Sequence, residues 1–180
     1  MESRLQKFLT LSIFLILLFA MFNYLFLDKY SGEKSKIGAL LGKKVPHFEY
    51  KYADKNEVFI SAELNEFHKK YKLINFFASW CSTCLIDHKE LIKLKDDEDI
   101  ALFGVIWRDS YKAAKMWLFQ QGNPYDILLI DKEGVSKKQF KLIGVPESFL
   151  LDANNNIVSH YRGPINAGAI KEIVKVLKNN

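Results

Sequence analysis

Cysteine and proline are scarce in this 180-residue chain, with two of the first and four of the second. Two thiols exclude a small secreted scaffold held by several disulfides, and equally a zinc module built on four thiolates. Four prolines and nine glycines exclude collagen-like and Pro/Gly-rich disordered chains. A basic block is missing too. The 26 Lys and Arg outnumber the 21 Asp and Glu to give +5, but the two signs are interleaved. That charge reads as a solvated surface, and no nucleic-acid partner is expected.

Charge is absent altogether from residues 8–27, FLTLSIFLILLFAMFNYLFL. About 20 residues at about 1.5 Å each make a helix of about 30 Å, the thickness of a bilayer core. Arg4 and Lys7 precede the run, and Tyr24, Lys29 and Tyr30 lie near its far end. The positive-inside tendency then keeps the N-terminus in the cytoplasm and sends the rest across the membrane. The competing reading, a cleaved signal peptide, needs a shorter run ending in small residues. Here Met21, Phe22, Tyr24 and Phe26 occupy the end. The expected organisation is a membrane anchor over residues 1–30, a tether over 31–44 with Gly and Lys throughout, and one domain over 45–180.

Within that domain the apolar patterning alternates between strand and helix. Residues 72–78 (KLINFFA), 100–107 (IALFGVIW) and 127–130 are short buried strands by length and composition. Residues 81–95 carry Leu85, His88, Leu91, Ile92 and Leu94 at helical spacing. Asp109 or Ser110 caps a helix through Ala113, Met116, Trp117 and Phe119, which Gly122-Asn123-Pro124 ends. Strands over 147–152 and 157–161 flank Ala153-Asn154-Asn155-Asn156, a turn that tolerates left-handed backbone, so they form a hairpin. Asn166 caps a last helix containing Ile170, Ile173, Val174 and Leu177. Strands alternating with helices pair in parallel, and the hairpin adds antiparallel pairing. The fold class is therefore α/β, a central mixed sheet flanked by helices.

Both cysteines fall in Trp80-Cys81-Ser82-Thr83-Cys84, directly after a strand and at the opening of a helix. That context makes the pair a redox dithiol. Unpaired N–H groups and the positive end of the helix dipole favour a thiolate there. Cys81, at the exposed entry, is expected to be the nucleophile, and Cys84, one turn in, the buried resolving thiol. A structural disulfide across so short a loop would constrain the unfolded chain little. Metal binding is the other alternative, because Cys81, Cys84 and His88 have ligand-like spacing. No further Cys exists, His47, His68 and His160 show no such spacing, and a half-buried helix histidine explains His88. Trp80 is expected to cover the disulfide and meet substrate, simple packing being its other reading. Val145-Pro146 begins a strand, where a missing N–H belongs at an edge or a special turn. Glu147, next in line, is either a solvated strand-end acid or a tuning charge.

The order of strand, W-C-x-x-C, helix and late x-Pro before a hairpin and a terminal helix resembles the thioredoxin fold. The likeness narrows further. Phe77-Ala78-Ser79-Trp80-Cys81-Ser82-Thr83-Cys84 with Asp87-His88 and Leu91, Gly122-Asn123-Pro124-Tyr125, and the run from Gly144 through Val145-Pro146-Glu147-Ser148-Phe149 to Asp152 are similar to the cytochrome c maturation thioredoxin-like proteins (CcmG/DsbE, thiol:disulfide interchange). Gly42-Lys43-Lys44-Val45-Pro46-His47-Phe48 resembles that family's entry into its domain. Three positions depart from the pattern. Ser82 replaces the common Pro, Val145 a small residue, and Asp87 the usual Glu.

The resemblance implies a cis Val145–Pro146 bond facing the disulfide, with an edge that pairs with bound peptide. It implies an enzyme without a cofactor other than the cysteine pair. Its targets would be the C-x-x-C-H thiols of apocytochrome c or a maturation partner, and its electrons would come from a DsbD- or CcdA-like transmembrane carrier. It also implies that Glu147 and Asp87 place negative charge near the thiolate and make the dithiol more reducing. A general extracytoplasmic reductase and an anchored metallochaperone are the rival functions.

Overall fold

The structure, a computed structural model, describes residues 2–30 and 40–178. It divides into two units, residues 1–33 and 34–180. The described residues of the first unit form one helix, α1 (Glu2–Tyr30). Every side chain from position 11 to 22 is exposed, on all faces of the helix. Among the described residues, no helix is long and apolar enough to cross a membrane. The uncharged run of residues 8–27 includes Phe8, Thr10 and positions from Asn23 onward, whose side chains lie outside that set. Residues 31–39 of the expected tether also lie outside the described residues.

The second unit holds one seven-stranded sheet in the order β2-β1-β5-β4-β3-β6-β7. Its strands are β1 (Glu49–Tyr52), β2 (Val58–Ile60), β3 (Tyr71–Phe77), β4 (Ile100–Trp107), β5 (Ile127–Asp131), β6 (Glu147–Asp152) and β7 (Ile157–Arg162). β3, β4 and β5 pair in parallel, while β6 runs antiparallel to β3 and pairs with β7 as the expected hairpin. The helices are α2 (Cys84–Leu91), α3 (Tyr111–Gln121), α4 (Ser136–Gln139) and α5 (Ala167–Lys178). The mixed sheet is the one the patterning implies. The β1–β2 hairpin on its far edge and the short α4 are additions.

Local chemistry explains where the elements stop. Ser110, not Asp109, caps α3, its Oγ accepting the Ala113 N–H at 3.2 Å. Gly122 ends that helix at φ 88. Asn166 Oδ1 accepts the N–H groups of Gly168 and Ala169 at 3.0 Å, capping α5. Asn155 takes φ 61 inside the β6–β7 turn, the left-handed conformation that Asn tolerates. Residues 40–44 read as tether by composition, yet they pack with this unit. The Gly42 N–H donates to Ile157 O and the Ile157 N–H to Lys43 O, both at 2.8 Å, and Leu40 and Leu41 lie against the core. An edge strand presents unpaired backbone groups, and at Ile157, the first residue of β7, the approaching chain satisfies them.

Successive side chains of a strand point to opposite faces, so the central strands feed two cores. One face gathers Leu73 and Phe77 of β3, Leu102 and Ile106 of β4 and Leu150 of β6 with α2, α3 and α5. The other gathers Ile74, Phe76, Phe103, Phe149 and Leu151 with the β1–β2 hairpin and Phe140. This second core is an aromatic cluster, with Phe76 and Phe140 edge-to-face at 4.9 Å and Phe140 and Phe149 tilted at 5.1 Å between ring centroids. Each such side chain contributes about 1.5–3 kcal/mol on burial.

Gly104 on β4 shows how tight the first face is. A Cβ there would lie 2.7 Å from the Tyr125 ring, which is stacked on Phe77 at 5.0 Å. Gly104→Ala is expected to cost about 1–3 kcal/mol. Gly144→Ala, where nothing lies within 4 Å, should stay within about 0.5 kcal/mol. Urea unfolding of the two variants measures the difference; equal midpoints would sink the packing argument.

Candidate active site

β3 delivers the chain to the site, and two contacts from the end of β4 hold it there. The Ser79 N–H and Oγ both donate to Asp109 Oδ2, at 2.7 and 2.6 Å. Trp80 Nε1 donates to Arg108 O at 3.3 Å. Arg108 bends there with φ 49, its N–H bonded to Asp131 O. Asp109, a candidate cap for α3 by its place in the sequence, thus clamps the entry of the cysteine turn instead.

Cys81 and Cys84 form a disulfide with Cα atoms 5.3 Å apart. Between them the backbone makes a tight turn, the N–H groups of Cys84, Leu85 and Ile86 donating three residues back at 3.1–3.3 Å. The regular helix therefore begins at Cys84 rather than Cys81, and it passes into a 3-10 turn, Ile92–Leu94, before the expected end. The Cys84 N–H points at Cys81 Sγ from 3.1 Å, and Thr83 Oγ1 is 3.4 Å away. These donors would stabilise negative charge on that sulfur. A position at a helix entry predicts an exposed Cys81. It is 6% exposed and Cys84 1%, so the order of burial holds while the openness does not. Val145 O covers Cys81 Sγ from 3.5 Å, and the bond between Val145 and Pro146 is cis. Trp80, by contrast, is 59% exposed beside the disulfide.

One turn beyond Cys84, Asp87 is buried on the same side of α2. Its Oδ1 accepts the Ile165 N–H at 2.6 Å and its Oδ2 the Asn75 amide at 2.5 Å. Asn75 also donates to Ser148 Oγ at 2.8 Å and accepts the Tyr125 hydroxyl at 2.7 Å. Burial pushes the Asp87 carboxyl up to about 7, against the pull of the two N–H donors. Burial and the Asp87 charge push the Tyr125 hydroxyl well above its ordinary range. Sequence reasoning misses Asn75, Ser148, Ser79 and Asp109 as site residues. One signal is present: Asn75 is an amide in the middle of a mostly apolar strand.

Glu147, expected beside the thiolate, is placed elsewhere. Ser148 faces α2, so Glu147, its neighbour on β6, faces the opposite side of the sheet. There its carboxylate accepts from His160 Nε2 at 2.7 Å, Arg162 Nε at 3.3 Å and the Ile143 N–H at 3.0 Å. His88 is turned to Gly122 O, with Nε2 at 2.8 Å, and its ring meets the Trp117 edge at 4.5 Å. Burial lowers its pKa. Among the described residues no three His, Cys, Asp or Glu side chains gather as a metal site.

Comparison with known proteins agrees with this geometry. Residues 40–177 match the redoxin family. The chain is 34% identical over 139 residues to the thiol:disulfide interchange protein HelX of Rhodobacter capsulatus, covering 77% of each. It is equally identical over 139 residues to the thiol:disulfide interchange protein DsbE of Escherichia coli, covering 77% of this chain and 74% of that one. The thioredoxin domain of a thiol-disulfide oxidoreductase from Bacteroides vulgatus superposes with a TM-score of 0.64 at 19% identity, over 77% of this chain and 98% of that one.

The buried carboxyl has a consequence for stability. A folded-state value near 7, above the ordinary carboxyl range, means that the folded protein binds the proton more tightly than the unfolded chain. Stability should therefore be highest below about pH 4 as far as Asp87 is concerned, and fall as pH rises through 7. The oxidised wild type should lose on the order of a few kcal/mol more than Asp87→Asn between about pH 5 and about pH 8. Urea titrations at both pH values test this; parallel losses in the two proteins would remove Asp87 as the cause.

Proposed function

The chain belongs to the redoxin family and, within it, to the DsbE group of thiol:disulfide interchange proteins, and on that premise we propose that it is a membrane-anchored periplasmic reductase serving cytochrome c maturation. The observation that carries the redox reading is the Cys81–Cys84 pair at the entry of α2, facing the backbone of Val145. The anchor rests on the uncharged run of residues 8–27 and on the basic Arg4 and Lys7 before it.

In the dithiol state, Cys81 thiolate attacks one sulfur of a target disulfide. A Cys81–target disulfide forms and the target's other sulfur leaves as a thiolate. Cys84, losing its proton, then attacks Cys81 Sγ. The second target sulfur leaves and the Cys81–Cys84 bond closes, so two electrons pass from enzyme to target. Val145 presents its main chain opposite Cys81, where an extended target segment pairs as an added strand. The Asp87 carboxylate, one turn from Cys84, receives the resolving thiol's proton. In its ionised form it opposes a thiolate nearby, and a less stabilised thiolate makes the dithiol a stronger reductant.

The targets are C-x-x-C-H thiols of apocytochrome c or of a maturation protein, since haem attachment needs free thiols. The electrons that restore the dithiol come from a transmembrane thiol carrier of the DsbD or CcdA kind. The thiol:disulfide interchange that names HelX and DsbE supports the reaction class, and the uncharged run supports the compartment.

The roles of the two cysteines are separable. Cys84→Ser should accumulate mixed disulfides with target proteins through Cys81, visible on non-reducing gels, whereas Cys81→Ser should accumulate none. The opposite pattern would reverse the nucleophile assignment. Capture of proteins carrying C-x-x-C-H by the Cys84→Ser variant, and loss of covalent c-type haem when the protein is removed, would tie the reaction to cytochromes; normal haem attachment would leave a general reductase.

A further inference from the structure

The segment facing the disulfide carries an apolar side chain that the fold does not use. Ile143 is 71% exposed and stands two residues before Val145, whose carbonyl lies 3.5 Å from Cys81 Sγ. Two residues span at most about 7 Å, so Ile143 borders the place where a target disulfide must arrive. Single exposed apolar residues are ordinary on protein surfaces. Ile143 is different because its backbone is tied from below. Its N–H donates to Glu147 Oε2 at 3.0 Å. Glu147 is itself buried, and its other oxygen accepts from His160 Nε2 at 2.7 Å and Arg162 Nε at 3.3 Å. His160 is stacked on Phe149, with ring centroids 4.2 Å apart. The end of β7 closes the frame, the Gly163 N–H donating to Pro146 O at 3.0 Å.

A buried carboxylate is costly to hold out of water unless it is paired and hydrogen-bonded. Here it has a guanidinium, an imidazole and a main-chain N–H. The main-chain group it holds is the amide that presents Ile143. Trp80, next to Cys81 in the chain and 59% exposed, offers a second apolar surface whose indole N–H is already engaged with Arg108 O.

We propose that Ile143 is a specificity residue for the incoming peptide, with Glu147, His160 and Arg162 as its positioning residues, and that the preferred peptide carries a bulky aliphatic side chain next to its disulfide. The inference rests on the disulfide-reductase reading above and names the substrate class of that same site. Glu147 acts on where the peptide binds, and its charge, shared with Arg162 on the far face of the sheet, leaves the sulfur chemistry to Asp87.

The test uses the reduced full-length protein and two synthetic peptides with an internal C-x-x-C disulfide, one flanked by leucine and one by serine. Burying an aliphatic side chain favours binding in proportion to the apolar area removed from water. The wild type should show a KM about tenfold lower for the leucine peptide, which corresponds to about 1.4 kcal/mol. Ile143→Ser should erase that difference. Arg162→Ala, which alters a half-exposed partner and spares the buried acid, should raise the KM for the leucine peptide several-fold. In both variants the Cys81 thiolate should titrate as in the wild type. Equal KM values for the two peptides in the wild type, or a preference that survives Ile143→Ser, would overturn the inference while leaving the reductase intact. A shifted thiolate titration in Arg162→Ala would overturn the positioning role in favour of direct tuning. Failure of the wild type to reduce either peptide or a small aromatic disulfide would instead overturn the proposed function.

Discussion

Asp87 keeps a carboxyl group out of water at the junction of α2, β3, β6 and the segment that leads into α5. Such a group is tolerated only where donors replace the lost hydration. Ile165 supplies a main-chain N–H and Asn75 an amide. Asn75 is fixed in turn by Ser148 and Tyr125. Tyr125 packs against Phe77 and leaves no room for a side chain on Gly104. The arrangement therefore ties the active-site helix to three neighbouring parts of the domain. It also keeps a group whose pKa burial raises to about 7 one turn from Cys84.

Two acids flank the site, and the pleat of β6 separates their work. Ser148 turns toward α2 and joins the Asp87 network, while Glu147 turns the other way and joins His160 and Arg162. Adjacent residues on a strand cannot both reach one face. A carboxylate next to the proline in sequence is thus not next to the disulfide in charge. It holds the Ile143 main chain instead. Asp109 makes a related point from the end of β4, where it restrains Ser79 rather than starting α3.

Much of the frame is legible in the order of residues. The strands around Ile74, Phe103 and Phe149 are apolar runs bounded by polar ones, and such runs have one stable use in a small domain. The caps at Ser110 and Asn166 and the turn at Asn155 are legible because each depends on a few adjacent atoms. The β1–β2 hairpin is not. Its strands are four and three residues long, and β1 carries Glu49 and Lys51 at alternate positions. Strands so short hold too few apolar residues to declare a period. Their place is set by pairing, β1 lying antiparallel to β5 through Lys51 and Tyr52.

By itself the sequence determined the chemistry available: two thiols three residues apart at a strand-to-helix junction, a long uncharged run near the N-terminus and an acid one turn past the second thiol. These are local facts, settled by spacing along the chain. The tertiary structure decided which acid lies on the α2 face of the sheet, which serves the other face, and how closed the disulfide is. Those depend on the direction of each side chain across the sheet and on backbone that returns from 64 positions away, as Val145 does to Cys81, and no spacing along the chain encodes the distance between them.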